Sequence, residues 1–241
     1  MKANLKELYK KLNTSHPFLG LIVRRLYYRK PLNSITRKIY GTNNLISQKN
    51  AILNKITLDI DGNNNSIQIM KGCILNHLTF YIRGNNHSIV INENCFFARG
   101  TIWFEDSGCT LFIGERSTFQ GEVHLALTEP GSRLSIGRDC MFSSDIDIRT
   151  GDSHSIISQE SKRRINYAMN VDISDHVWIG AHSIILKGSS IPENSVVATG
   201  SVVTRRFETK GIIIGGNPAI QLKEGITWSR ERIYETRDET S

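Results

Sequence analysis

The sequence predicts an all-β chain wound as a parallel β-helix (solenoid), and three observations predict it. An apolar residue recurs every six positions through Ile173, Ile179, Ile185, Ile191, Val197 and Val203. Upstream, Asp61-Gly62-Asn63-Asn64-Asn65-Ser66-Ile67-Gln68-Ile69 is echoed 22 residues later by Arg83-Gly84-Asn85-Asn86-His87-Ser88-Ile89-Val90-Ile91. Small side chains keep the same register: Cys73, Cys95 and Cys140 each lie four residues after an aliphatic that opens a coil, and Ser117 fills the missing rung. A six-residue step turns an α-helix through about 600°, so it cannot hold one helical face. A two-sided strand has period two. Hexads instead fit flat sides meeting at corners.

The elements follow in order. Residues 1–50 read as a basic helical region: Leu5, Leu8, Tyr9 and Leu12 have i, i+3, i+4, i+7 spacing, and Pro17 and Pro31 bracket a second apolar segment. The solenoid occupies 51–223. Its early coils open with triplets of hexads, Ile69/Leu75/Tyr81, Ile91/Phe97/Trp103, Ile113/Phe119/Leu125 and Ile136/Phe142/Ile148. A Gly/Asn-rich corner closes each coil, as a tight turn with positive φ requires. Between Ile148 and Ile173 the hexads stop, which marks a protruding loop. Two more coils run to Val203, and residues 224–241 form a tail with a short charged helix near Trp228 to Thr236.

Charge is segregated. Residues 1–50 carry 11 Lys/Arg against the single acid Glu7, whereas the remainder is slightly acidic within a net charge of +7. The basic character therefore belongs to the appendage, where it faces solvent, anionic lipid or an anionic acceptor. No base-stacking aromatics are interleaved with it, which argues against a nucleic-acid module. The polar, lysine-rich start lacks a signal-type apolar run and no segment reaches a membrane span, so the expected location is cytoplasmic, with peripheral membrane contact through 1–50. The cysteines show no metal-type spacing, and the rung pattern assigns three of them to core packing.

Val177-Trp178-Ile179-Gly180-Ala181, Ala198-Thr199-Gly200-Ser201-Val202-Val203-Thr204 and Gly216-Asn217-Pro218-Ala219 resemble the hexapeptide-repeat acyltransferases over about residues 60–223. Asp152-Ser153-His154, Lys162-Arg163-Arg164-Ile165-Asn166 and Asp175-His176-Val177-Trp178 resemble more closely the bacterial capsule and sialic-acid O-acetyltransferases. The resemblance implies a left-handed parallel β-helix, a homotrimer, acetyl-CoA as donor, and direct transfer to a sugar hydroxyl of a surface polysaccharide or its precursor. It makes His154 the general base, a role that suits a group whose unperturbed pKa is about 6.5. Asp152 either orients the imidazole or forms an ordinary turn. Trp178 either lines the acceptor and thioester cleft or covers a coil. For the CoA track the resemblance points to Ala181, Thr199, Gly200, Gly216, Asn217 and Pro218, with Arg205 and Lys223 as phosphate partners.

His176 and His182 lie six apart, yet their spacing departs from that of zinc-binding solenoids, so no metal is expected. Two other readings stay open: N-acetyl transfer to an amino-sugar nucleotide, and a non-catalytic trimeric scaffold. The first is disfavoured because residues 1–50 hold no Gly-rich nucleotide-binding turn.

Overall fold

The structure, a computed structural model, describes residues 34–234. Strands from successive coils stack in register into three sheets of eight, seven and nine strands, making a parallel β-solenoid of about eight turns. The first sheet runs from Ile35–Tyr40 to Val202–Val203, the second from Leu45–Gln48 to Ser190–Ile191, and the third from Ile52–Asn54 to Ile213–Gly216. A final strand, Ala219–Lys223, folds back antiparallel on Ile213–Gly216.

The coils before the long loop are wider than those after it, and the core side chains change with the width. Leu78 pairs with Gly100 and Val123 with Ile146, coils of 22 and 23 residues, whereas Ile184 pairs with Val202, only 18 on. The wide coils are filled by phenylalanines. Phe97, Phe119 and Phe142 stack with ring centroids 3.9 and 4.4 Å apart. In the narrow coils the Ile/Val hexads, Ile173 to Val203, take the place of the phenylalanines and are all buried, with Ser183, Ser189, Ser195 and Ser201 buried beside them. The expected small-residue rung is present: Cys73, Cys95, Ser117 and Cys140 donate across to the carbonyls of Asn92, Gly114, Gly137 and Ser174, each one coil on. Burial pushes the Cys140 thiol up to about 12, so it stays protonated as a donor.

Cys109, which the hexad register leaves unassigned, belongs to a second ladder at the corner between the first two sheets. His87 N donates to Asn65 Oδ1, Cys109 N to His87 Nδ1, and Ser132 Oγ to Cys109 Sγ. The corner between the second and third sheets repeats one left-handed residue per coil, with φ between 53° and 65° at Asn94, Arg116, Asp139, His176, Asn194 and Gly211. His176 is thus a corner residue whose Nδ1 meets Asn194 Oδ1 at 2.9 Å. His182 holds the matching left-handed position one corner on.

Three expectations are corrected. Residues 35–48, expected to be helical, are solenoid strands; their register is set by Gly41 and Asn44, which repeat Gly62 and Asn65 at a spacing of 21, and by Thr42 N donating to Asn63 Oδ1. The helical reading of residues 1–33 lies outside the described residues. Tyr81 and Trp103 are not core residues: Leu125 pairs with Ile102, and Phe80 and Ile102 point inward instead. A one-residue slip moves a side chain to the opposite face, so the two rings stack on the outer surface at 3.8 Å. The tail from Trp228 to Tyr234 is not helical. It is drawn out along the solenoid wall by Trp228 Nε1 donating to His176 O and by Arg230 donating to Asp139, Thr118 and Cys140.

The phenylalanine stack gives a direct check on this core. Phe119→Ala, between two stacked rings, should cost about 3–5 kcal/mol in denaturant unfolding. Phe112→Ala, at an exposed site on the same coil, should cost under about 1 kcal/mol. Equal losses at the two sites would contradict the packing.

Candidate active site

The interruption predicted between Ile148 and Ile173 is a loop inserted at the corner between the first and second sheets. Asp147 pairs with Ile184, 37 residues later, where the next coil needs only 18. Met169 N donates to Thr150 O and closes the loop's base. Beyond the base the chain turns back on itself: Ser158 N donates to Arg163 O and Ile165 N to Ile156 O. The side chain of His154 is exposed on the outgoing limb.

The loop is held by polar contacts from both limbs and from neighbouring coils. Asn166, 7% exposed, donates from Nδ2 to Asp152 Oδ2 and to His154 O, both at 2.8 Å. Its Oδ1 accepts from Ile156 N at 2.7 Å and from Arg164 Nε at 3.2 Å. Arg164 forms a bidentate pair with Glu129 on the preceding coil. Lys187, on the following coil, is paired with Asp152 and also donates to Asn166 O. Burial disfavours the Asp152 carboxylate, but hydrogen bonds from Lys187 and Asn166 outweigh it and hold the carboxyl below its usual range.

Asp152, expected either to orient the imidazole or to form an ordinary turn, is bound into this arrangement. Its carboxylate is taken up by Lys187 and Asn166, and among the described residues no hydrogen bond joins it to the His154 imidazole. Asp152 therefore braces the loop through Lys187 and Asn166.

Trp178 lies on the third sheet between Met141 and Val196, half-buried, with Nε1 donating to Ser143 Oγ at 3.4 Å. The Trp228 ring, stacked on His176 at 4.3 Å, stands 6.1 Å from it. Within one chain His154 and Trp178 occupy different sides of the solenoid, so the structure does not bring them together.

Most of the expected CoA-track residues do come together, at the third-to-first corner of the last coils and the hairpin below it. Gly200 N donates to Ala181 O and Ala198 N to Ile214 O. A Cβ on Gly180 would lie 2.6 Å from Thr199 N, so only glycine permits this approach. Thr199, Gly200, Gly216, Asn217 and Pro218 are exposed, and Ala181 is half-buried. The strip thus offers small side chains and accessible backbone, as an extended thioester arm needs. Arg205 sits at the first-to-second corner, the side that carries the His154 loop. Lys223 lies at the hairpin end away from the Asn217-Pro218 turn, opposite Ile213. Neither cation joins the strip. Among the described residues no group of three or more metal-ligating side chains occurs.

No family model matches the chain. The crystal structure of the polysialic acid O-acetyltransferase OatWY is similar at a TM-score of 0.77 with 32% identity, covering 85% of this chain and 95% of that one. The polySia-specific acetyltransferase NeuO follows with a TM-score of 0.73 and 30% identity, covering 84% and 91%. The chain belongs to the hexapeptide-repeat acetyltransferase family. The polysialic acid O-acetyltransferase of Neisseria meningitidis is 35% identical over 130 residues, 54% of this chain and 60% of the relative. That of Escherichia coli O1:K1 / APEC is 32% identical over 123 residues, 51% of this chain. The chain spans only 39% of that second relative's length.

The contacts that sequence reasoning missed are Asn166, Lys187, Glu129 and Trp228. Asn166 stands within a stretch that carries the resemblance, but Lys187 and Glu129 are each 35 residues from their loop partners. Only the coil stacking brings them near.

The Asp152 pair makes a pH prediction. A depressed carboxyl contributes stability that is complete above its ordinary value of 3.8 and is lost as pH falls through the lower folded value. An NMR titration should find Asp152 below 3.8, and Lys187→Met should raise it. An unmoved value in that variant would contradict the pairing.

Proposed function

We propose that this protein transfers the acetyl group of acetyl-CoA to a sugar hydroxyl of an anionic surface polysaccharide of the polysialic-acid type. The observation that carries the reading is the braced loop that interrupts the solenoid and holds an exposed His154, in a chain that belongs to an acetyltransferase family. His154 takes the proton of the attacking hydroxyl. The sugar oxygen then forms a bond to the thioester carbonyl carbon, the C–S bond breaks, and the proton passes to the departing thiol sulfur. No acyl-enzyme is needed, because the acceptor hydroxyl itself attacks the thioester, and His154 serves both proton movements.

The reading makes the working unit a homotrimer. His154 and Trp178 lie on different sides of one solenoid, so a cleft containing both takes the loop from one copy and the third sheet from its neighbour. The strip through Ala181, Thr199, Gly200, Gly216, Asn217 and Pro218 would carry the pantetheine arm, since its residues are small or expose their backbone. Arg205 and Lys223 would meet the nucleotide phosphates by charge attraction, separately from the strip.

An anionic acceptor fits the exposed cations around the loop. Lys162 and Arg163 are exposed there, and Arg206 lies at the same corner two coils on. The reading also sets the enzyme in the cytoplasm at the inner face of the membrane. Residues 1–34, which hold eight of the Lys/Arg residues and one acid, would face anionic lipid.

Acetyl transfer measured on purified polysialic acid, neutral capsular polysaccharides and amino-sugar nucleotides tests the acceptor class. His154→Ala should lower kcat by about 10²–10⁴-fold. Wild-type kcat in that variant would remove His154 as the base, and transfer confined to amino-sugar nucleotides would replace O-transfer by N-transfer. Light scattering should give a trimer; a monomer at assay concentration would contradict the shared cleft.

A further inference from the structure

The contacts around Asn166 identify a further residue on which the reaction depends. Its carboxamide has two donor hydrogens and two acceptor lone pairs, and all four are used: Asp152 and His154 O on the nitrogen, Ile156 N and Arg164 Nε on the oxygen. The orientation of the amide is therefore fixed by its neighbours. A flip would set the NH₂ group against two donors and the oxygen against a carboxylate and a carbonyl. With 7% of its surface exposed, the residue has little water to replace a lost partner.

The four contacts are arranged around one point. Asn166 stands on the returning limb of the loop, and three of its bonds reach the outgoing limb at residues 152, 154 and 156, two residues apart and centred on His154. Lys187 fixes the same knot from the next coil by gripping Asp152 and the Asn166 carbonyl. Arg164 anchors it to the previous coil through Glu129. The His154 backbone is thus tied to the rigid solenoid on both sides, while among the described residues no hydrogen bond engages its ring.

We propose that Asn166 is the positioning residue for His154, setting the backbone from which the imidazole reaches the acceptor hydroxyl. The proposal rests on His154 being the general base. It predicts a specific kinetic signature, because a displaced base slows proton removal without weakening donor binding. Misplacement of a reacting group by about 1 Å costs on the order of 10²-fold in rate.

The test measures acetyl transfer from acetyl-CoA to polysialic acid by wild type, Asn166→Ala, Asn166→Asp, His154→Ala and the His154→Ala/Asn166→Ala double variant. CoA binding is followed by calorimetry and folding by thermal unfolding. Asn166→Ala should lower kcat by about 10–100-fold with CoA affinity held within about twofold. Asn166→Asp, isosteric but lacking the donors and facing Asp152, should lose at least as much. In the His154→Ala background the Asn166 change should have no further effect. A folded Asn166→Ala with wild-type kcat would overturn the proposal, as would an undiminished second loss in the double variant. If His154→Ala alone keeps wild-type rate, it is the identity of the base that fails. Lys187→Met, which lies outside the loop, serves if the Asn166 variants do not fold. It should show a smaller loss of kcat that again vanishes without His154, and an unchanged kcat there would equally overturn the proposal.

Discussion

The constraint on which the structure depends is that each coil's backbone is satisfied by the coils on either side of it. Apart from the closing hairpin, the sheet pairings are parallel and join different coils. Every residue therefore inherits its environment from the residue on the same rung of the next coil. This makes like stack on like: phenylalanine on phenylalanine, a thiol or hydroxyl under the next carbonyl, a left-handed residue over another at a corner. Such stacking is cooperative along one axis, since each coil contacts chiefly its neighbours.

The same constraint explains how a rigid scaffold holds a long polar loop. An insertion at a corner leaves the sheets intact, because Asp147 still finds Ile184 in register across the extra residues. The loop is then bordered above and below by coils whose side chains are already fixed. Glu129 and Lys187 come from those two coils, and Asn166 joins them to the backbone around His154. Precision at the candidate base is thus supplied by the solenoid, not by the loop's own packing, which leaves Ile156, Ile165 and Tyr167 exposed.

What the sequence disclosed follows the same physics. Repetition is legible, so the hexads from Ile173 to Val203, the Asn-rich corners and the Cys73–Cys95–Ser117–Cys140 rung could all be read directly. The failure of repetition was legible too, and it located the loop and His154. Features with no internal echo were hidden. Trp228 and Arg230 anchor the tail through contacts spanning 52 and 91 residues, which no local pattern announces. The slip at Tyr81 and Trp103 was invisible because both neighbouring positions are apolar, so either register satisfied the pattern. The first coil was missed because its apolar spacing also suits a helix, while its signal was the faint repetition of Gly41 and Asn44.

We propose that the chemistry lies where the loop of one copy meets the strip of another. A crystal structure of the protein with CoA tests it most directly. The CoA sulfur should lie within about 4 Å of the His154 imidazole of one copy, with the pantetheine arm running beside Ala181 and Thr199 of its neighbour. CoA bound away from His154, or held wholly within a single chain, would contradict it.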